Sequence, residues 1–430
     1  MSEHETVRPQ AAGEGTRIPA GPTGLGAPTL HVPRGTESAA RDGVVRDGAV
    51  RERLARALLP DGPTGLGTHS LRRPEADRPL RDDDGHEPAA SPPVPGAYSV
   101  APVVYQEREW GDGSHPPLYC PGTVRVDEGL GEEVNRRLVA WAERVGLHAG
   151  RMEEFRDTGF GRLAMLTHPD TDDPDLLMVA AQMNAAWWAA DDYYADESDL
   201  GATPTELPPR LALVMSAMDP PPFAGDYTRQ LEEAIHADPV LVALRSATGH
   251  LSRHATPTQV MRASSTTFQM YVSWAAYAAW RYLDTPPPVW RYLAARQHDS
   301  FYTSMTLIDV VGGYELPAGL FCDRRFHTAL MQAGTASVIV NDLHSVEREA
   351  ADELPDSNVV LLIAAEEGCS IRAATERAVS LHNDFVRGFE NSRRELAGVP
   401  SIELKRYLRG AQAWMAGCLE WHGASSRYQT

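Results

Sequence analysis

From Asp127 to the end of the chain, apolar side chains return every three or four residues instead of every second one, a spacing that admits helices and little else. Val134, Leu138, Trp141 and Val145 mark the first such stripe. Asp173-Pro174 reads as an N-cap with proline in the first turn, opening a helix through Leu176, Leu177, Ala180 and Trp187 towards Asp191. Thr256-Pro257 repeats the signal, with Gln259 placed to close a capping box, and Pro286 to Pro288 lead into Trp290, Leu293 and Arg296. Long helices are expected over roughly 319–349, 358–396 and 401–421, with joints at Gly312-Gly313 and Leu354-Pro355. Residues 181–190 and 333–340 are small or apolar almost all round, as in helices buried on most faces. The expected fold is all-α, a large helical bundle.

The first hundred residues cannot join that core. No aromatic residue precedes Tyr98, and the stretch is rich in Pro, Gly, Arg and Asp, with Gly-Pro-Thr-Gly-Leu-Gly at 21–26 and again at 62–67. Without large apolar groups it cannot offset the entropy of ordering its backbone. Residues 1–112 are therefore expected to be disordered, apart from a nascent helix near 50–59 where Leu54, Leu58 and Leu59 form a small apolar face, and 113–430 to form one helical domain. The repeat reads either as linker, since Gly-Pro turns recur in flexible segments, or as a docking motif. On this division, deleting 1–112 should leave thermal stability nearly unchanged. Acidic residues outnumber basic ones 59 to 40, and the formal charge of -19 argues against nucleic acid or an anionic membrane as partner. Cys120, Cys322, Cys369 and Cys418 show neither zinc-knuckle nor disulfide spacing, and no apolar run approaches a membrane span, so a cytoplasmic protein is expected.

Two polar clusters interrupt the apolar pattern. Asn341, Ser345 and Glu349 stand at i, i+4 and i+8, which places an amide carbonyl, a hydroxyl and a carboxylate on one helical face. An oxygen-only set of this kind suits Mg2+, and the adjacent Arg348 suits phosphate. Asn and Ser are poor helix formers that a merely solvated face has no reason to choose. The other cluster, Asp191-Asp192-Tyr193-Tyr194-Ala195-Asp196-Glu197, follows the apolar lead-in Trp187-Trp188-Ala189-Ala190, which sets carboxylates at the mouth of an apolar cavity. Alone it reads more readily as an ordinary solvated helix end.

The pattern Asn341-Asp342-x-x-Ser345-x-x-Arg348-Glu349 resembles the second metal-binding motif of class I terpene synthases, and the resemblance covers Tyr119 to Tyr428. It implies a helical bundle around a central cavity, with Mg2+, three ions, held by Asn341, Ser345 and Glu349 and by acids among Asp191, Asp192, Asp196 and Glu197. Arg296 falls where the family has its diphosphate-sensing arginine, Asp299 and Ser300 where it has linker and effector residues, and Arg427-Tyr428 resembles its C-terminal diphosphate-binding pair. Arg348 joins these as a phosphate donor. Aromatic faces would stabilise the carbocation, the candidates being Trp187, Trp188, Phe268, Trp274, Phe301, Tyr302, Trp414 and Trp421.

Local phrases narrow the likeness. Leu118-Tyr119-Cys120-Pro121, Gly159-Phe160-Gly161-Arg162-Leu163 and Leu166-Thr167-His168-Pro169 resemble the 2-methylisoborneol synthases, as does the proline-rich N-terminal segment. That likeness implies (E)-2-methylgeranyl diphosphate as substrate, supplied by a C-methyltransferase, its cyclisation with water capture, and a possible homodimer. Ala195 departs from the cysteine associated with that family inside the acidic motif. A 2-methylenebornane synthase would share every motif, and geranyl or farnesyl diphosphate remain alternative substrates. His298-Asp299 also permits a metal phosphohydrolase, and a helical adaptor with a disordered arm is the non-enzymatic reading.

Overall fold

The computed structural model describes residues 103–196, 203–350 and 358–425, all within the unit Gly96–Thr430. The repeat, the apolar face near Leu54, Leu354-Pro355, Glu197, Arg427 and Tyr428 lie outside the described residues.

Helix caps form where the sequence signals them. Helix α1 (Glu128–Val145) starts at Asp127, whose carboxylate accepts from Leu130 N at 3.0 Å, and buries Val134, Leu138 and Trp141. Helices α2 (Met152–Thr158) and α3 (Phe160–Thr167) meet at Gly159, a left-handed residue with φ +73°. A side chain at Gly161 would run into the backbone of Asn135 on α1, so glycine there sets how closely these helices approach. Arg162 beside it pairs with Glu128 at 3.2 Å. The next loop is tied by Arg125, which donates to the carbonyls of Met165, His168 and Thr171. His168 is wholly buried, and desolvation pushes its imidazole down to about 3, so it stays neutral.

Helix α4 (Pro174–Ala190) carries the expected Asp173 cap and continues into a π-helical turn, Asp191–Asp196. Helices α5 (Leu207–Met218), α6 (Asp226–His236) and α7 (Pro239–His254) follow, and then α8 (Pro257–Tyr282), where the Thr256–Gln259 capping box is present. Helix α9 (Val289–Arg296) starts after Pro288.

The two longest expected helices are each divided. Short helical turns at Tyr302–Met305, Ile308–Val311 and Ala318–Phe321 precede α10 (Arg324–Glu349), because Asp323 turns its carboxylate onto Arg325 N and begins a new helix. After α11 (Val359–Glu367), Gly368 at φ +60° ends the helix and Ser370 caps α12 (Ile371–Leu396). Helix α13 (Ile402–Ala424) closes the described chain apart from Ser425.

Helix α10 runs through the core with α12 and α13 against it, while α13 also packs on α3, and α4 packs on α1, α3 and α7. This is the all-α bundle read from the spacing. No helix among the described residues is long and apolar enough to cross a membrane.

One departure lies upstream of residue 113. Strand β1 (Tyr105–Arg108) pairs antiparallel with β2 (Leu118–Pro121), Tyr105 opposite Pro121. Trp110 is buried and donates its indole N–H to Pro116 O at 3.0 Å, and Arg108 pairs with Glu420 of α13 at 2.7 Å. Trp110 gives these residues the apolar anchor that folds them onto the domain. Removing 103–112 should therefore cost about 3–5 kcal/mol, the range for deleting a buried Trp, and lower the melting temperature by several degrees. Differential scanning calorimetry of chains starting at 103 and at 113 checks this.

Candidate active site

Helices α4, α8, α9 and α10 enclose a cavity with oxygen and arginine groups at its rim and aromatic groups on its walls. Asp191, the C-cap of α4 and first residue of the π-helical turn, lines one side. Asn341, Arg348 and Glu349 line the other, from the last three turns of α10. The two expected clusters thus face one space. Asp192 instead lines a separate small pocket with His148, Arg151, Glu154 and Phe160, on the other side of Trp188.

Glu349 accepts from Asn358 Nδ2 at 2.9 Å and from Arg348 at 3.1 Å. Burial, with Asp342 nearby, pushes its carboxyl above the usual range. Ser345 shares the face, but its hydroxyl is buried between Asn358 Nδ2, at 3.4 Å, and the Asp342 carbonyl, at 3.5 Å, and does not line the cavity. Asn341 Oδ1 accepts from Arg296 at 3.3 Å, and its Nδ2 lies 3.2 Å from His422 Nε2. His422 Nδ1 sits 2.8 Å from Cys418 O, a carbonyl that can only accept. The proton is therefore on Nδ1, Nε2 accepts from the Asn341 amide, and Asn341 Oδ1 turns towards Arg296 and the cavity.

Arg296, the last residue of α9, is the electrostatic centre of the site. Its guanidinium donates to Asp342 Oδ1 at 2.7 Å and Asp299 Oδ2 at 2.8 Å. Burial works against its charge, and Asp342, Tyr292 and Asp299 outweigh that. Desolvation raises both carboxyls and the guanidinium opposes the rise. Asp342, 1% exposed, also accepts from Tyr292 Oη at 2.7 Å and Val359 N at 3.0 Å, while Asp299 accepts from Trp274 Nε1 at 3.0 Å. Ser300 donates to Gln297 O and accepts from Tyr302 N, shaping the break after α9. Gly334 of α10 lies under that break: a Cβ there would sit 2.8 Å from both Ser300 Oγ and Tyr302 N.

Trp187, Trp188, Trp274 and Phe301 line the cavity as expected. Four other aromatic expectations are corrected. Phe268 is 58% exposed on the outside of α8; the inner stripe of that helix is Met270, Trp274 and Tyr277, and Phe268 lies two residues, about 200° of helical turn, from Met270. Trp421 is buried and donates its indole N–H to Thr158 O and Gly159 O, tying down the turn between α2 and α3. Trp414 lies behind Phe301, with ring centres 5.4 Å apart, and Tyr302 is buried edge-on to His327. None of these four lines the cavity. Met270 and Tyr277 went unread, although their i, i+4, i+7 spacing with Trp274 was available in the sequence. Ser304 also lines the wall, its hydroxyl donating to Asn184 Oδ1 at 2.6 Å.

No three His, Cys, Asp or Glu side chains converge as a metal cage among the described residues. The donors are oxygen atoms divided between two rims, with two arginines between them, a set that fits a hard divalent cation shared with an anionic ligand and does not fit zinc or iron.

A bundle with acidic and amide-bearing rims above an aromatic cavity has the architecture of the class I terpene synthases. The family model for terpene synthase family 2, C-terminal metal binding, matches residues 182–388. The 2-methylisoborneol synthase of Streptomyces griseus is 37% identical over 316 residues, 72% of this chain and 71% of that one. Its counterpart from Saccharopolyspora erythraea is 32% identical over 315 residues, 73% of this chain and 89% of that one. The crystal structure of the Streptomyces coelicolor A3(2) enzyme of the same name, in complex with Mg2+ and 2-fluoroneryl diphosphate, superposes with a TM-score of 0.69 at 34% identity, covering 72% of this chain and 96% of that one. The chain belongs to the terpene synthase family, among the 2-methylisoborneol synthases.

Asp342→Ala would leave Arg296 buried with one carboxylate fewer and strand Tyr292 Oη and Val359 N. Breaking such a pair costs about 3–5 kcal/mol, which urea denaturation of the variant should register.

Proposed function

We propose that this protein ionises and cyclises (E)-2-methylgeranyl diphosphate to 2-methylisoborneol, with capture of water and release of diphosphate. The observation that carries this reading is the convergence of Asp191, Asn341, Glu349 and Arg296 on one aromatic-walled cavity. Asp191 on one rim and Asn341 and Glu349 on the other, with Ser345 behind them, would hold Mg2+. Bound Mg2+ neutralises the diphosphate and makes it a leaving group.

Arg296 arrives already oriented by Asp299 and Asp342 and donates to phosphate oxygens without reorganising as charge develops. Arg348 at the rim adds a second donor, and Arg427 and Tyr428 complete the set. As the C–O bond breaks, positive charge moves to carbon, which faces Trp187, Trp188, Trp274 and Phe301. Each desolvated ring face contributes about 2 kcal/mol of cation–π attraction. Val338 adds to the wall a hydrocarbon group that cannot attack the cation.

Ser304 favours the alcohol over the hydrocarbon. Its proton is committed to Asn184, so it presents only lone pairs to the cavity. A water donating to Ser304 keeps its own lone pair for the carbocation, and the proton it sheds on forming the new C–O bond passes to the departed diphosphate.

The extra methyl group of the substrate calls for a C-methyltransferase upstream. A homodimer suits the outer face of α8, where Met261, Phe268 and Val272 are exposed and which carries no charged side chain from Ala263 to Trp280. Four free cysteines accord with a reducing, cytoplasmic setting.

Incubation with Mg2+ and geranyl, 2-methylgeranyl or farnesyl diphosphate, followed by gas chromatography with mass detection, should yield a cyclised eleven-carbon alcohol, preferentially from the methylated substrate. A hydrocarbon or a fifteen-carbon product would replace the named reaction, and no release of diphosphate from any of the three would end the cyclase reading. Asn341→Ala should lower turnover by at least about two orders of magnitude while leaving the far-ultraviolet circular dichroism unchanged.

A further inference from the structure

Asn358 stands just outside the motif, 1% exposed, and uses both ends of its amide. Its Oδ1 accepts from Val360 N at 2.9 Å and Leu361 N at 3.4 Å, capping α11. Its Nδ2 donates to Asp342 O at 2.8 Å and Glu349 Oε2 at 2.9 Å, with Ser345 Oγ at 3.4 Å. The cap settles which way the amide faces. Reversed, it would set N–H groups against the N–H groups of α11 and its oxygen against a carbonyl and a carboxylate.

A cap needs only an acceptor, and Ser, Thr or Asp would serve as well as Asn. The amide adds a donor on the opposite side, and that donor meets Glu349. Glu349 is the last residue of α10, with three side-chain torsions to fix, and besides Asn358 it meets the Ser345 hydroxyl and Arg348, whose side chain is 48% exposed. An ion pair with so exposed an arginine restrains little. The next residue, Val359, donates to Asp342, which in turn holds Arg296. The N-cap and the first residue of α11 therefore reach both the carboxylate and the arginine of the site.

We propose that Asn358 is a positioning residue of the metal site, anchored on α11 and holding the Glu349 carboxylate on the cavity side of α10. This rests on the assignment of Glu349 as a Mg2+ ligand. Without the amide donor, Glu349 keeps only the Ser345 hydroxyl and the exposed Arg348 as restraints, and the ion has to supply the rest of its ordering, at a cost in affinity. Loss of a group that orients a metal ligand weakens binding by about 10- to 100-fold.

The test uses Asn358→Ser and Asn358→Thr, which keep the cap and remove the donor, alongside Glu349→Gln. Mg2+ is titrated calorimetrically into each protein with inorganic diphosphate, and the melting temperature and the Mg2+ dependence of turnover are recorded. The expected result is melting close to the parent chain, a Mg2+ requirement raised about 10- to 100-fold, and turnover that recovers at saturating Mg2+. An unchanged Mg2+ requirement in both Asn358 variants, while Glu349→Gln is weakened, would overturn the proposal. So would a fall in melting temperature with no change in Mg2+ binding, which would make Asn358 a cap alone. Unaltered Mg2+ binding by Glu349→Gln would remove the ligand assignment itself.

Discussion

A guanidinium buried inside a helical bundle is tolerable only if carboxylates meet it, and the interior of this protein is arranged around that requirement. Arg296 leaves α9 into the space between Asp299 on the following turn and Asp342 on α10. Asp342 must then be held as firmly as the charge it meets, which Tyr292 Oη and the backbone of Val359 accomplish. Three helices and one helix break are thereby located relative to one cation. The rim groups Asn341 and Glu349 lie on the same helix as Asp342, so the electrostatics of folding also aim the metal-facing oxygens.

Much of this was legible in the residues, for reasons that can be stated. Caps at Asp173 and Thr256 are local chemistry, and local chemistry survives into the fold. The i, i+4, i+8 spacing of Asn341, Ser345 and Glu349 foretold one face, although only Asn341 and Glu349 open on the cavity. Partners far away in sequence were not legible. Asp342 had a place in its motif but no role, and only the arrival of Tyr292, Arg296 and Val359 shows it to be the anchor. Aromatic roles were the least readable, because Trp421 and Trp188 are the same residue type and only the fold decides which indole N–H is spent on a carbonyl and which ring faces the cavity.

The short phrases that carried the family likeness also have mechanical explanations. Gly159 supplies a left-handed turn, Gly161 lets α3 approach α1, and Arg162 latches the contact to Glu128. Leu118 to Pro121 is a strand whose inward residues reach the core. These segments do not line the cavity. They fix the outer helices that hold the cavity walls in place, so a likeness there is a likeness of scaffold, and chemistry is argued from the rim.

The hairpin at the start of the described chain has a wider consequence. Trp110 leans on His344 of α10, with ring centres 5.5 Å apart, His344 lies the same distance from His422, and His422 bonds Asn341. The hairpin and the Asn341 amide are thus joined by two ring contacts and one hydrogen bond. Repacking at Trp110 is therefore a change made two rings away from an amide at the rim of the cavity.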